Sequence, residues 1–293
     1  MLAFYNGNVI FHPTDRSSVY NNTSGVGQDI LAMDNRYDME VYLDMGTVDY
    51  HNDYFISYQK SLALSPGSLL SVNILRGYLE EVNADIYVSP DGEDSNSGIS
   101  PQVPLKSIYK AMQIVLSDSL SPNTVHLASG IYRSHDGQIY PIGLKSNVKI
   151  VGSETDSTIL INKHYSGTIT GAYVDNVLVK NIQVDCVDSM KVSSIVSYTR
   201  TKNSILEDIV INGGNFSQRE GVHFGSNSYF ASDAKIVDVK IKNQVSRRRV
   251  GVYIQSTDVD ISHLIIDNCS VTGGELDNRS EEHTSELQSR QVI

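Results

Sequence analysis

The chain has 293 residues and a formal net charge of −11. An acidic surface repels phosphate backbones, which excludes nucleic acid as a partner. Apolar residues make up 40% of the chain, enough for a sizeable core and against wholesale disorder, and no apolar run approaches the ~20 residues that span a bilayer, so no membrane span is expected.

Tyrosine (17) outnumbers phenylalanine (6) and tryptophan is absent, a composition that suits exposed β surfaces. Cys186 and Cys269 stand far apart, with no His or Cys at metal-ligand spacing, and read as two free thiols. No cofactor and no metal site is expected. The opening MLAFYNGNVIFHP lacks a charged n-region and a sustained apolar h-region, so no signal peptide is visible.

Residues 1–84 alternate apolar and polar in short runs: NVIFHP, MEVYLDMGTV, YFISYQKSLAL and SLLSVNIL. Breaks fall at Pro13, at Asn52-Asp53 and at Ser65-Pro66-Gly67, which predicts a β-rich segment, read as the end of a preceding domain. Asn21, Asn22, Gly25 and Gly27 read as loop residues. His12 and His51 are isolated and read as turn or surface histidines.

A strand over Ile86–Ser89 ends in the turn Pro90-Asp91-Gly92. Pro104 suits the first turn of a helix. Leu105, Ile108, Ala111, Met112 and Val115 share one face, which predicts a helix near 104–116. Such a face must cover something, and the open end of a stack of coils is its natural client. The acidic turn Asp91, Glu93, Asp94, Asn96 has calcium-type oxygens but lacks EF-hand spacing and the closing Glu, so it reads as a hydrogen-bonded turn.

From Val125 the chain is quasi-periodic. NVLVKNIQVD (from Asn176), SILEDIVING (from Ser204), AKIVDVKIKN (from Ala234) and VDISHLIIDN (from Val259) centre on Ile182, Ile209, Val239 and Leu264, about 25 to 30 residues apart. A second series, TITGA, IVSYT, GVHFGS and GVYIQS, lies between them. That is a solenoid signature, in which stacked coils share a core no single coil could bury. Asn212, Asn243 and Asn268 suit sharp corners, because Asn tolerates the left-handed region. The predicted fold class is all-β: a right-handed parallel β-helix over 85–278 with one N-terminal capping helix. The run Arg279–Ser289 matches, residue for residue, the translation of a short-read sequencing adapter, so 279–293 is read as a non-native tail. The natural chain is then expected to continue past Asn278.

The segment YVSPDGEDSNSG, PLKSIYKAM, TVHLASGIY, PIGLKSNVKIVG resembles an N-terminal module, without an assigned activity, that caps many bacterial right-handed parallel β-helix proteins of the pectin-lyase-like kind. Gly130, Tyr132, Leu144 and Gly152 occupy its characteristic places. The upstream GNVIFHPTDRSSVYNNTSGVGQDI is similar to material that precedes this module in large exported surface proteins of Bacteroidetes-type bacteria. The resemblance implies secretion or cell-surface display, with Met1 an internal or truncated start.

For a polysaccharide lyase or hydrolase, clustered carboxylates and a base are needed. Asp185 and Asp188, and Arg219, Glu220 and His223, are the nearest candidates and reproduce no such set. Asp185 and Asp188 read as turn residues, Arg219 and Glu220 as a solvated edge, and Arg247-Arg248-Arg249 as a solvated basic turn. No catalytic residue is assigned. Strand alternation instead points Val196, Tyr198, Val222, Phe224, Val252 and Ile254 inward and Ser197, His223 and Tyr253 outward on neighbouring coils, with Thr170 beside them. These are the candidate substrate-binding residues, with a polysaccharide or cell-surface glycan as partner. The reading is a secreted or cell-surface glycan-associated binding or structural module. The alternatives are a lyase or glycoside hydrolase with part of its catalytic region missing, and a repetitive adhesin or stalk.

Overall fold

A computed structural model describes residues 2–5, 9–22, 29–35, 39–48, 56–60, 70–162, 167–172, 174–186, 194–199, 201–213, 215–216, 221–225, 231–246, 250–255 and 257–271. Six strands come first: β1 (Leu2–Tyr5), β2 (Ser17–Val19), β3 (Ile30–Asn35), β4 (Met39–Gly46), β5 (Ile56–Lys60) and β6 (Leu70–Gly77). They form two parallel three-stranded sheets, β1-β3-β5 and β2-β4-β6. The partner offset runs from 25 residues (Asn35 with Lys60) to 31 (Met39 with Leu70). This segment, expected only to be β-rich, is thus itself wound in coils. Met39, Val41 and Leu43 alternate inward along β4 and are fully buried. Asp29 closes one corner: its carboxylate accepts the backbone N–H and the hydroxyl of Thr47, each at 2.7 Å. Burial raises its pKa above the ordinary value, opposed by those bonds.

The main body begins with β7 (Ile86–Val88), α1 (Ile108–Ile114), β8 (Asn123–Leu127), β9 (Gly130–Arg133), β10 (Ile142–Gly143), β11 (Val148–Gly152) and β12 (Thr158–Asn162). It continues with β13 (Ile169–Ala172), β14 (Leu178–Cys186), β15 (Val196–Thr199), β16 (Ile205–Asn212), β17 (Asn215–Phe216) and β18 (Val222–Gly225). The last described strands are β19 (Ala231–Lys242), β20 (Val245–Ser246), β21 (Val252–Gln255), β22 (Thr257–Ser262), β23 (Ile265–Asp267) and β24 (Ser270–Val271). Every pairing is parallel.

Three faces result. The first stacks seven strands in the order β22-β19-β16-β14-β11-β8-β7. The second carries β9, β12, the latter halves of β14, β16 and β19, and β23. The third stacks β10-β13-β15-β18-β21. Offsets of 25 residues (Asn123 with Val148) to 30 (Val222 with Val252) match the sequence period. This is the parallel β-helix that the repeat predicted.

The helix is shorter than its predicted 104–116 span. Asp94 sets its start: one carboxylate oxygen accepts Lys106 N–H at 3.0 Å and Ser107 N–H at 2.8 Å, the other the Ser107 hydroxyl at 2.7 Å. Ser107 then caps α1 by accepting Lys110 N–H. Leu105 is core, but it forms a parallel bridge with Val88 instead of a helical turn. Pro104 therefore ends the acidic turn, where its carbonyl accepts the Asn96 amide at 2.8 Å.

Corners between faces are columns of left-handed residues. Asn181, Asp208, Asp238 and His263 hold φ between 50° and 58° and separate the first face from the second. Asn147, Asn176 and Asn203 form a ladder: each amide donates to the side-chain carbonyl of the coil before it, at 2.9 Å. Asn212, Asn243 and Asn268 form another, at 3.1 and 2.8 Å. The predicted corner role holds, with Asn243 and Asn268 at positive φ and Gly213, beside Asn212, taking that conformation in its coil. Gly152 is needed for a different reason: a Cβ there would lie 2.1 Å from the Asn181 carbonyl.

Contacts cross the position between 84 and 85. Tyr109 of α1 donates its hydroxyl to the Asn22 carbonyl at 2.7 Å, and Val82 bridges Val115. Lys145, fully buried, donates to Glu81 at 2.5 Å and to the Val115 carbonyl at 2.6 Å.

Candidate functional site

The third face brings the predicted residues together. Thr170 is in register with Ser197, Ser197 with His223, and His223 with Tyr253. All four side chains stand on the outer side of the sheet and are half-buried. Neighbouring parallel strands lie ~4.8 Å apart, so the column spans three such steps. The rings of His223 and Tyr253 approach to 5.3 Å at a 48° tilt.

Beneath the column the floor is stiff. Val196, Tyr198, Val222 and Phe224 are fully buried, and the rings of Tyr198 and Phe224 stack at 4.6 Å and 3°. Burial drives the Tyr198 phenol above its ordinary pKa. Val252 and Ile254 depart from the inward expectation, since Val252 is half-buried and Ile254 is 38% exposed. The reason is position: β21 ends the described order of this sheet and is covered on one side only.

Chemically the column offers two hydroxyls, an imidazole and a phenol. These suit hydrogen bonding to sugar hydroxyls and stacking on a sugar face. His223 Nε2 is shielded from solvent, so a ligand would meet the rest of its ring.

Other sequence candidates behave structurally. Asp185 accepts the Gln183 amide at 2.7 Å and the Asn212 amide at 3.4 Å, which spends its carboxylate on a corner. His12 Nδ1 accepts Asp15 N–H at 3.0 Å and so shapes a turn. His51, Asp188, Arg219, Glu220, Arg247-Arg248-Arg249 and the tail with His283 lie outside the described residues. Among the described residues, no three His, Cys, Asp or Glu side chains gather as a metal site would need. Cys186 and Cys269 are free thiols, each half-buried.

One arrangement was missed in the sequence. On the first face Tyr87 and His126 stack across adjacent strands at 5.0 Å and 16°, and His126 Nε2 lies 3.1 Å from the Asp85 carboxylate. The signal was available: IYV and VHL align position by position as successive strands (Ile86 with Val125, Val88 with Leu127). The helix inserted between them widened the spacing and hid the repeat.

Stacked parallel coils under one helix, with polar outer columns, define a β-helix protein of the carbohydrate-associated or structural kind. The chain belongs to the family described as "Protein of unknown function (DUF1565)", which matches residues 90–289. That match takes in α1 and all three faces, and runs through residues 279–289 of the tail. Neither a curated protein nor a solved structure matches the chain.

Proposed function

We propose that this protein is a glycan-associated binding module displayed outside the cell, with the outer column of the third face as its contact surface. The carrying observation is the unbroken register Thr170–Ser197–His223–Tyr253 over a buried aromatic floor. A flat face with one polar or aromatic group per coil follows an extended polysaccharide better than a compact ligand. Retention of the chain on insoluble polysaccharides tests this. The variant carrying Tyr253→Ala and His223→Ala is expected to lose at least ~1–3 kcal/mol of binding, the range of one stacked aromatic with its hydrogen bonds. Retention unchanged in that variant removes the column from the account.

A structural stalk is the second reading. What favours it is coil geometry on both sides of α1, in β1–β6 as well as β7–β24. A stalk would keep its fold and show no glycan retention. Secretion, a bacterial surface origin and a catalytic region beyond Asn278 rest on the resemblance, as proposals. So does the adapter origin of Arg279–Ser289 on its codon match. The uncut gene tests all four.

A further inference from the structure

An open cleft of about 680 Å³ lies at the capped end of the second face, away from the third-face column. Its floor is β9. One wall is the turn after β7 with Lys106; the other is the short turn 134–138. The walls are braced. Gly130, at φ 146°, lies so close to Pro90 that a Cβ would meet its ring at 2.7 Å. The Gln138 amide ties both walls, accepting Ile108 N–H at 3.1 Å and donating to the Lys106 carbonyl at 2.9 Å. A cleft held in this way is preformed, and its volume is in the range that takes a small molecule.

The lining is charged and polar. Asp91, Lys106, Ser129, Arg133, His135 and Asp136 face it. Asp136 is already matched, 3.5 Å from Arg133 and 3.3 Å from His135. Lys106 pairs with no carboxylate among the described residues. On a chain of net charge −11, this gathers cations where most of the surface would repel an anion. Asp91 and Ser129 add acceptors and a hydroxyl suited to a ligand rich in OH groups.

We propose that this cleft binds one unit of a polyhydroxy carboxylate, a sugar acid, with Lys106 and Arg133 as its anion contacts. The site is separate from the third-face column, and its test does not depend on that reading. Titration calorimetry of the full chain with glucuronate is expected to show saturable one-site binding, at least about tenfold weaker for glucose (ring without carboxylate) and for acetate (carboxylate without ring). Lys106 is exposed, so Lys106→Ala leaves the fold intact; it is expected to weaken glucuronate about tenfold or more, while Lys106→Arg retains most affinity. Tyr253→Ala is expected to leave glucuronate binding unchanged. No glucuronate binding, equal binding of glucose, or full affinity in folded Lys106→Ala would each overturn the proposal.

Discussion

Lys145 and Glu81 form an ion pair that is almost entirely shut away from water, the lysine 0% and the glutamate 4% exposed. The same ammonium donates to the carbonyl of Val115 at the end of α1. One buried charge thus joins the segment before β7, the capping helix and the coil that starts at Leu144. Burial lowers the lysine's pKa from its ordinary value, and Glu81 partly offsets this.

Removing one partner leaves the other as an unpaired buried charge. Lys145→Met or Glu81→Leu alone is expected to cost about 3–5 kcal/mol in urea unfolding. The double variant should cost far less than the sum, because two apolar groups fill the same space with no charge to solvate. Additive losses would show that the pair does not act as a unit.

Asn176 sits in the middle of an asparagine ladder with φ 56°. Asn176→Ala removes two side-chain bonds and places a Cβ in a left-handed corner without local compensation, for an expected loss of about 2–3 kcal/mol. Asn176→Gly removes the same bonds but accepts the φ, and should lose about 1 kcal/mol. Equal losses would mean that backbone conformation contributes nothing at this corner.

Burial pushes the Cys186 thiol up to about 12 from its ordinary 9.0, although the residue as a whole is only half-buried. A raised acid stays protonated in the folded state while the unfolded thiol ionises. The associated stability is therefore present below pH 9 and is lost as pH rises from 9 toward about 12. Cys186→Ala is expected to flatten the fall in urea midpoint over that window. Iodoacetamide at pH 8 should label the native thiol far more slowly than the unfolded one. Rapid native labelling would place the thiol in solvent.

Much of the fold was legible because the core writes itself into the repeat. Ile182, Ile209 and Val239 fall one coil apart, all fully buried and in register. The corner signal was only half read: the left-handed residue just before each of them (Asn181, Asp208, Asp238) was as regular as the apolar centre. The N-terminal coils were harder, because irregular pairing between Ser17 and Ser18 and between Ala32 and Asn35 shifts the register and blurs the period. Lys145 was invisible as a core residue, since a lysine in GLKS reads as a solvated turn until Glu81 is brought against it. The third-face column was legible from alternation alone. The cleft was not, because Asp91, Lys106 and Arg133 meet only after the helix has folded back.

The most direct test of the functional account is a hydrogen-exchange footprint of the full chain saturated with a polysaccharide that retains it. The account predicts added protection centred on β13, β15, β18 and β21, lost with Tyr253→Ala and His223→Ala together. Protection confined to the first or second face, or no polysaccharide that retains the chain, would contradict it.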